Sequence, residues 1–156
     1  MKSFYIAMLM FIVISLRCSS NEDTNNRISL LLRENSELNE LISNKDWDEI
    51  YDMLLKTKEM NLTERILPSR ASFNRQYNQG EPATYNIKYL SYISFKDTAL
   101  TSNQIRTELK INYLGIDTAA VDTSYHFWKY RDGNWYLLNF ELRELSDRTK
   151  NKFNQN

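Results

Sequence analysis

His126 is the only histidine among 156 residues and Cys18 the only cysteine. His126 lies in a strand-like run whose same-face neighbours are Trp128 and Asn139, with no carboxylate at a pairing position. That pattern suits a sheet histidine bonded to a neighbour, although an imidazole there is chemically able to titrate. Ser124 sits two residues away along the same strand, and no acid completes a catalytic triad. Asp46, Asp48, Glu49 and Asp52 fall on the exposed side of a helix, where solvated charge is the ordinary outcome. No Cys/His cluster offers a metal site. Gly80, Gly115 and Gly133 stand alone, so no loop cradles a phosphate. No cofactor and no metal are expected. Tyr85, Tyr89 and Tyr113, together with His126, would line a cavity if their polar ends point inward. The alternative is that they are core residues whose hydroxyls reach the rim.

The stretch that positions His126 is YHFWKYRDGNWYLLNFEL, residues 125–142. Asp132-Gly133 between two aromatic runs predicts a hairpin with a two-residue type I′ turn. Arg131 then faces Asn134, and the pairs behind it are Tyr130 with Trp135, Trp128 with Leu137 and His126 with Asn139. The opposite face pairs Lys129 with Tyr136, Phe127 with Leu138 and Tyr125 with Phe140. Both faces are apolar, which predicts a hairpin deep in the sheet and covered on both sides. Trp128, Tyr130, Trp135 and Leu137 make the larger aromatic face. That face needs a neighbouring strand, a second subunit, a ligand or the chain's own tail to cover it.

Two more strands precede the hairpin. TYNIKYLSYISF (84–95) places Tyr85, Ile87, Tyr89, Ile93 and Phe95 on one face, and KDTALTSN (96–103) follows as a polar turn. Ile105, Thr107, Leu109, Ile111 and Tyr113 then alternate with Arg106, Glu108, Lys110 and Asn112, giving one core face and one wet face. Residues 115–123 connect to the hairpin. The earlier half reads as helices. Ile28, Leu31, Leu32, Leu38, Leu41 and Ile42 have helical spacing after an N-cap at Asn25 or Asn26. A break at residues 43–46 leads to a second helix capped by Asp46, with Trp47, Ile50, Tyr51, Leu54 and Leu55 as its buried stripe. A short third helix holds Pro68 in its first turn and Ala71, Phe73 and Tyr77 within, and ends at Gly80.

Helices followed by four antiparallel strands define an α+β domain with helices packed on one side of a curved sheet. With 20 basic and 20 acidic residues there is no basic footprint for nucleic acid. The N-terminus carries an address. Lys2, then the 13-residue apolar run Phe4–Leu16, then polar SSNEDTNN, has the order of a secretory signal and is short for a membrane span. Cys18 directly after the apolar run is similar to the lipidated cysteine of a bacterial lipoprotein signal, although Arg17 precedes it where a small residue is usual. A lipidated Cys18 would anchor the domain in the cell membrane or outer membrane. A non-lipidated signal would leave it soluble in the periplasm or outside. The expected organisation is a signal over 1–18, a polar tether over 19–26, the domain over 27–145 and a polar tail over 146–156.

The helix SNKDWDEIYDMLL and the closing hairpin KYRDGNWYLLNFEL resemble those of NTF2-like domains, cone-shaped α+β folds found in many small exported proteins. The resemblance spans about residues 28–145 and implies a cone of helices on a four-stranded sheet. The fold hosts isomerases, dehydratases, transport factors and binding modules, so it does not fix a function. The expectation is a non-catalytic binding or interaction module at the bacterial cell envelope, associating with a second copy or an envelope protein through its sheet face. The alternative is a small-molecule isomerase or dehydratase with its site in the cone.

Overall fold

The computed structural model describes residues 2–78, 83–111 and 116–140, with side chains described over 23–78, 84–108 and 119–140. The chain divides into two compact units, Met1–Glu34 and Asn35–Asn156. Helix α1 spans Lys2–Asn44, α2 Trp47–Glu59 and α3 Arg70–Asn78. The strands are β1 Ala83–Phe95, β2 Thr98–Ile111, β3 Ile116–Arg131 and β4 Asn134–Leu137.

In the first unit, α1 runs unbroken through residues 19–26, which were expected to form a tether, so no helix starts at Asn25 or Asn26. Those residues are polar but include no Gly or Pro to stop a helix. Arg27 instead pairs with Asp23 one turn earlier at 2.9 Å. Among the described residues no helix is long and apolar enough to cross a membrane. The side chain of Cys18 lies outside those described.

The second unit begins with the last turns of α1. These end in a Schellman turn: Asp46 N–H bonds Leu41 O at 2.9 Å, Lys45 N–H bonds Ile42 O at 3.1 Å, and Lys45 takes φ +62°. The chain is thereby redirected into α2, and Asp46 makes no side-chain cap, contrary to expectation. Helix α2 ends the same way, with Asn61 at φ +53° and Leu62 N–H on Thr57 O at 3.2 Å. Ser69 caps α3 by accepting Ser72 N–H at 3.3 Å, which leaves Pro68 just outside the helix. Ala71, Phe73 and Tyr77 lie within α3 as expected; Phe73 is buried and Ala71 is exposed. Arg70 holds α3 to α2 through Asp48 at 3.3 Å and through Asp52, and its guanidinium lies 4.7 Å from the Tyr51 ring centroid. Gly80 and Pro82 lie outside the described residues, as do Asn112, Tyr113 and Gly115.

The sheet is an antiparallel meander in the order β1-β2-β3-β4. The Asp-Gly hairpin forms in the expected register, with Arg131 opposite Asn134, Tyr130 opposite Trp135 and Trp128 opposite Leu137. Asp132 at φ +50° and Gly133 at φ +85° have the paired positive φ of a type I′ turn. Three expectations fail. The ladder stops at Leu137, because the Asn139 side chain accepts Phe127 N–H at 3.1 Å in place of a strand carbonyl. Phe140 then turns onto the helix side, 5.2 Å from Tyr77 and 6.2 Å from His126. The β1–β2 turn is only Lys96-Asp97, and residues 98–103 belong to β2; likewise β3 begins at Ile116. Third, β1 and β2 shift register between Tyr89 and Ser91. Leu90 is the extra residue of a β-bulge, and one extra residue reverses which side chains face inward. Tyr85, Ile87 and Tyr89 keep the inner face, but Ile93 and Phe95 are turned outward and are each 71% exposed.

The core lies between the inner sheet face and the helices. Leu38 and Ile42 of α1, Trp47, Ile50 and Leu54 of α2 and Phe73 of α3 meet Ile105, Trp128, Trp135, Leu137 and Phe140. Thr57 fixes α2 to the edge strand by donating to Leu137 O at 2.8 Å. Leu109 and Lys110 are in β2, but their side chains lie outside those described.

Candidate interaction surface and the buried histidine

His126 is wholly buried on the inner face of β3. Strand pairing places it opposite Thr101 and places Ser124 opposite Asn103, so four polar side chains share the inner face. The end of α1 supplies two more. Asn35 and Asn103 form a reciprocal amide pair: Asn35 Nδ2 donates to Asn103 Oδ1 at 2.9 Å and Asn103 Nδ2 to Asn35 Oδ1 at 3.1 Å. Asn39 Nδ2 donates to the same Asn103 Oδ1 at 3.0 Å. Thr101 donates to Asn35 Oδ1 at 2.7 Å and accepts Trp128 Nε1–H at 2.9 Å. These bonds satisfy buried polar groups that would otherwise lose their hydration uncompensated.

The same bonds set the state of the imidazole. Two amide donors already occupy Asn103 Oδ1, so the Asn103 group toward His126 is its Nδ2, 3.2 Å from Nδ1. Nδ1 therefore accepts, and the ring proton sits on Nε2, which donates to Ser124 Oγ at 2.9 Å. Sequence spacing had not paired Ser124 with His126, yet an i,i+2 step on a strand puts both on one face. The direction of that bond is wrong for nucleophilic activation, because the nitrogen facing the hydroxyl already holds a proton. Burial pushes the His126 pKa down to about 4, so the ring is neutral at ordinary pH. No carboxylate bonds it among the described residues.

Other sequence candidates fall as follows. Trp128, Trp135 and Leu137 are buried beneath the helices and Tyr130 is half-buried, 5.1 Å from Trp135. The aromatic face expected to be covered by a neighbouring strand, a second subunit, a ligand or the tail is the chain's own core, because the helices pack on that side. Tyr85 is half-buried with Lys45 Nζ 5.9 Å from its ring centroid. Tyr89 lies at the edge of the inner face, its pKa raised by partial burial and then by Tyr92. Tyr113 is outside the described residues. No group of three metal-ligating side chains occurs among those described.

The exposed apolar surface is on the opposite face. Register aligns Ile93 with Leu100 and Leu100 with Phe127, and Leu138 N–H bonds Phe127 O at 2.8 Å. The register makes an apolar row of Ile93, Leu100 and Phe127 across β1, β2 and β3. Phe95 and Tyr125 flank it, and Ile93, Phe95, Tyr125 and Phe127 are all substantially exposed. The hairpin's outer face is therefore covered at Tyr136, which is 7% exposed with Lys56 Nζ 5.7 Å from its ring centroid, and open at Tyr125 and Phe127. The one signal for this in the sequence was its second apolar face, which carried Tyr125 and Phe127.

Comparison with protein-family models finds no match, and comparison with characterised protein sequences finds none either.

Proposed function

We propose that this chain is an exported, NTF2-like interaction module of the bacterial cell envelope, anchored through a lipid on Cys18 and binding a second copy or another envelope protein through its outer sheet face. One observation carries the reading, the apolar row Ile93–Leu100–Phe127 with Phe95 and Tyr125 beside it. A large apolar side chain half exposed leaves on the order of 100 Å² in water. Four such residues give about 400 Å², within the range of the largest patches on monomers, which often have a function. The enzyme alternative finds less support. His126 is bonded to an amide and a hydroxyl, and the nitrogen facing Ser124 is already protonated.

The test is sedimentation and native co-purification of the full chain beside Phe127→Asp and Ile93→Asp variants. Association lost in both variants with melting temperature unchanged is the expected result. Variants that associate like the wild type would overturn the reading.

A further inference from the structure

A second feature is independent of the sheet face. The segment Leu62–Ser69 has no regular secondary structure and runs beside α3 and residues 138–140. Between them is a groove of about 460 Å³. Three apolar side chains form its base, Leu54, Phe73 and Phe140, all at least nine-tenths buried. Lys58 and Arg65 also line it, and no carboxylate does among the described residues. The volume lies in the range of small-molecule sites, but a two-chain phospholipid is too large for it. Ile66 also lines the groove and is 89% exposed. A large aliphatic side chain on an irregular segment, so placed, gains burial when an apolar chain fills the groove beside it.

We propose that this groove binds a single-chain amphipathic carboxylate, a medium-chain fatty acid, with its alkyl chain on the Leu54–Phe73–Phe140 floor. The carboxylate is held at the rim by Lys58. Charge complementarity selects the head group, since a lining with cations and no carboxylate favours an anion over a neutral or cationic amphiphile. The apolar floor selects the chain. Ile66 closes over it from the Leu62–Ser69 segment.

The experiment photolabels the full chain with decanoic acid bearing a mid-chain diazirine, below its micelle concentration, and locates adducts by peptide mass spectrometry. Adducts within residues 54–77 or 138–140 are expected, competed by unlabelled decanoate and not by decanol at the same concentration. Lys58→Glu should cut labelling about tenfold with an unchanged melting curve. Lys58→Gln, which removes only the charge, should cut it severalfold and serves if the first variant fails to fold. Adducts elsewhere, equal competition by decanol, or wild-type labelling of a folded Lys58 variant would overturn the proposal. So would no labelling at all, the result expected if residues 141–156 occupy the groove themselves.

Discussion

Acidifying the protein should weaken it through His126 before its carboxylates are affected. In the folded chain Nδ1 accepts from Asn103, whose amide cannot reverse without setting its Nδ2 against the Asn35 and Asn39 donors. Protonating the ring puts a donor against a donor in a site closed to water. Unfolding releases the imidazole to its ordinary pKa of 6.5, whereas in the fold it is held down to about 4. The unfolded chain thus binds the extra proton first, and stability present above pH 6.5 is lost as pH falls toward 4. Linkage between those two values gives losses of about 0.8 kcal/mol at pH 6, about 2 kcal/mol at pH 5 and about 3 kcal/mol at pH 4. Asp48 and Asp97 have pKa values lowered first by Asn74 and by Lys129 respectively, so their contributions are intact above the carboxylate range and vanish only below it. The interval from pH 7 to 5 therefore isolates the histidine. Urea unfolding at half-unit steps, for wild type and His126→Gln, reads it out. The wild type should lose about 2 kcal/mol across the interval and the variant much less, whatever its starting stability. Parallel curves, or a wild type no weaker at pH 5 than at pH 7, would refute the account of the buried neutral ring.

Gly133→Val should lower stability by about 1–3 kcal/mol in thermal melts. A Cβ at residue 133 meets nothing within 4 Å, so the loss comes from φ +85° alone, and Gly133→Asn should recover most of it. Ile105→Ala, at an inner-face position that is 6% exposed, should cost about 2–5 kcal/mol, while Arg106→Ala on the outer face stays within about 0.5 kcal/mol. Equal effects at the two positions would mean the β2 faces are misassigned. Cys18→Ser should abolish detergent-phase partitioning and any acyl mass on the N-terminus. A wild type already soluble would refute the lipid anchor.

The parts of the fold that were legible in sequence are those in which one residue pair or one periodic stripe decides the outcome. Asp132-Gly133 dictates a turn through two positive φ values, and the whole hairpin register follows from it. Of the α2 stripe, Trp47, Ile50, Tyr51 and Leu54 are buried as their spacing requires, and Leu55 is half-buried. Less legible were places where polar side chains serve the interior. Thr101 and Asn103 made residues 96–103 look like a turn, yet both are fully buried, because Asn35 waits for them 66 and 68 positions earlier. Asn139 looked like a strand residue and instead ends the ladder with its side chain. His126 was readable as a bonded sheet histidine, but its partner Asn103 was not, since nothing local in either segment announces the pairing.

The outer sheet surface turns on a single residue, Leu90. Alternation from Tyr85 onward carries Ile93 and Phe95 into the core, where Tyr92 and Ser94 now lie opposite Thr101 and Ala99. Leu90 breaks that parity at no compositional cost, since apolar residues stand on both sides of it and a bulge there leaves no mark in the hydrophobic pattern. Its consequence is chemical. Moving Ile93 and Phe95 outward aligns Ile93 with Leu100 and Phe127, which turns scattered apolar positions on three strands into one row. The exposed row thus depends on a one-residue register shift in β1, whereas the buried polar network is built from α1, β2 and β3 and does not. The aromatic hairpin face is buried for a separate reason, that the helices pack on its side of the sheet.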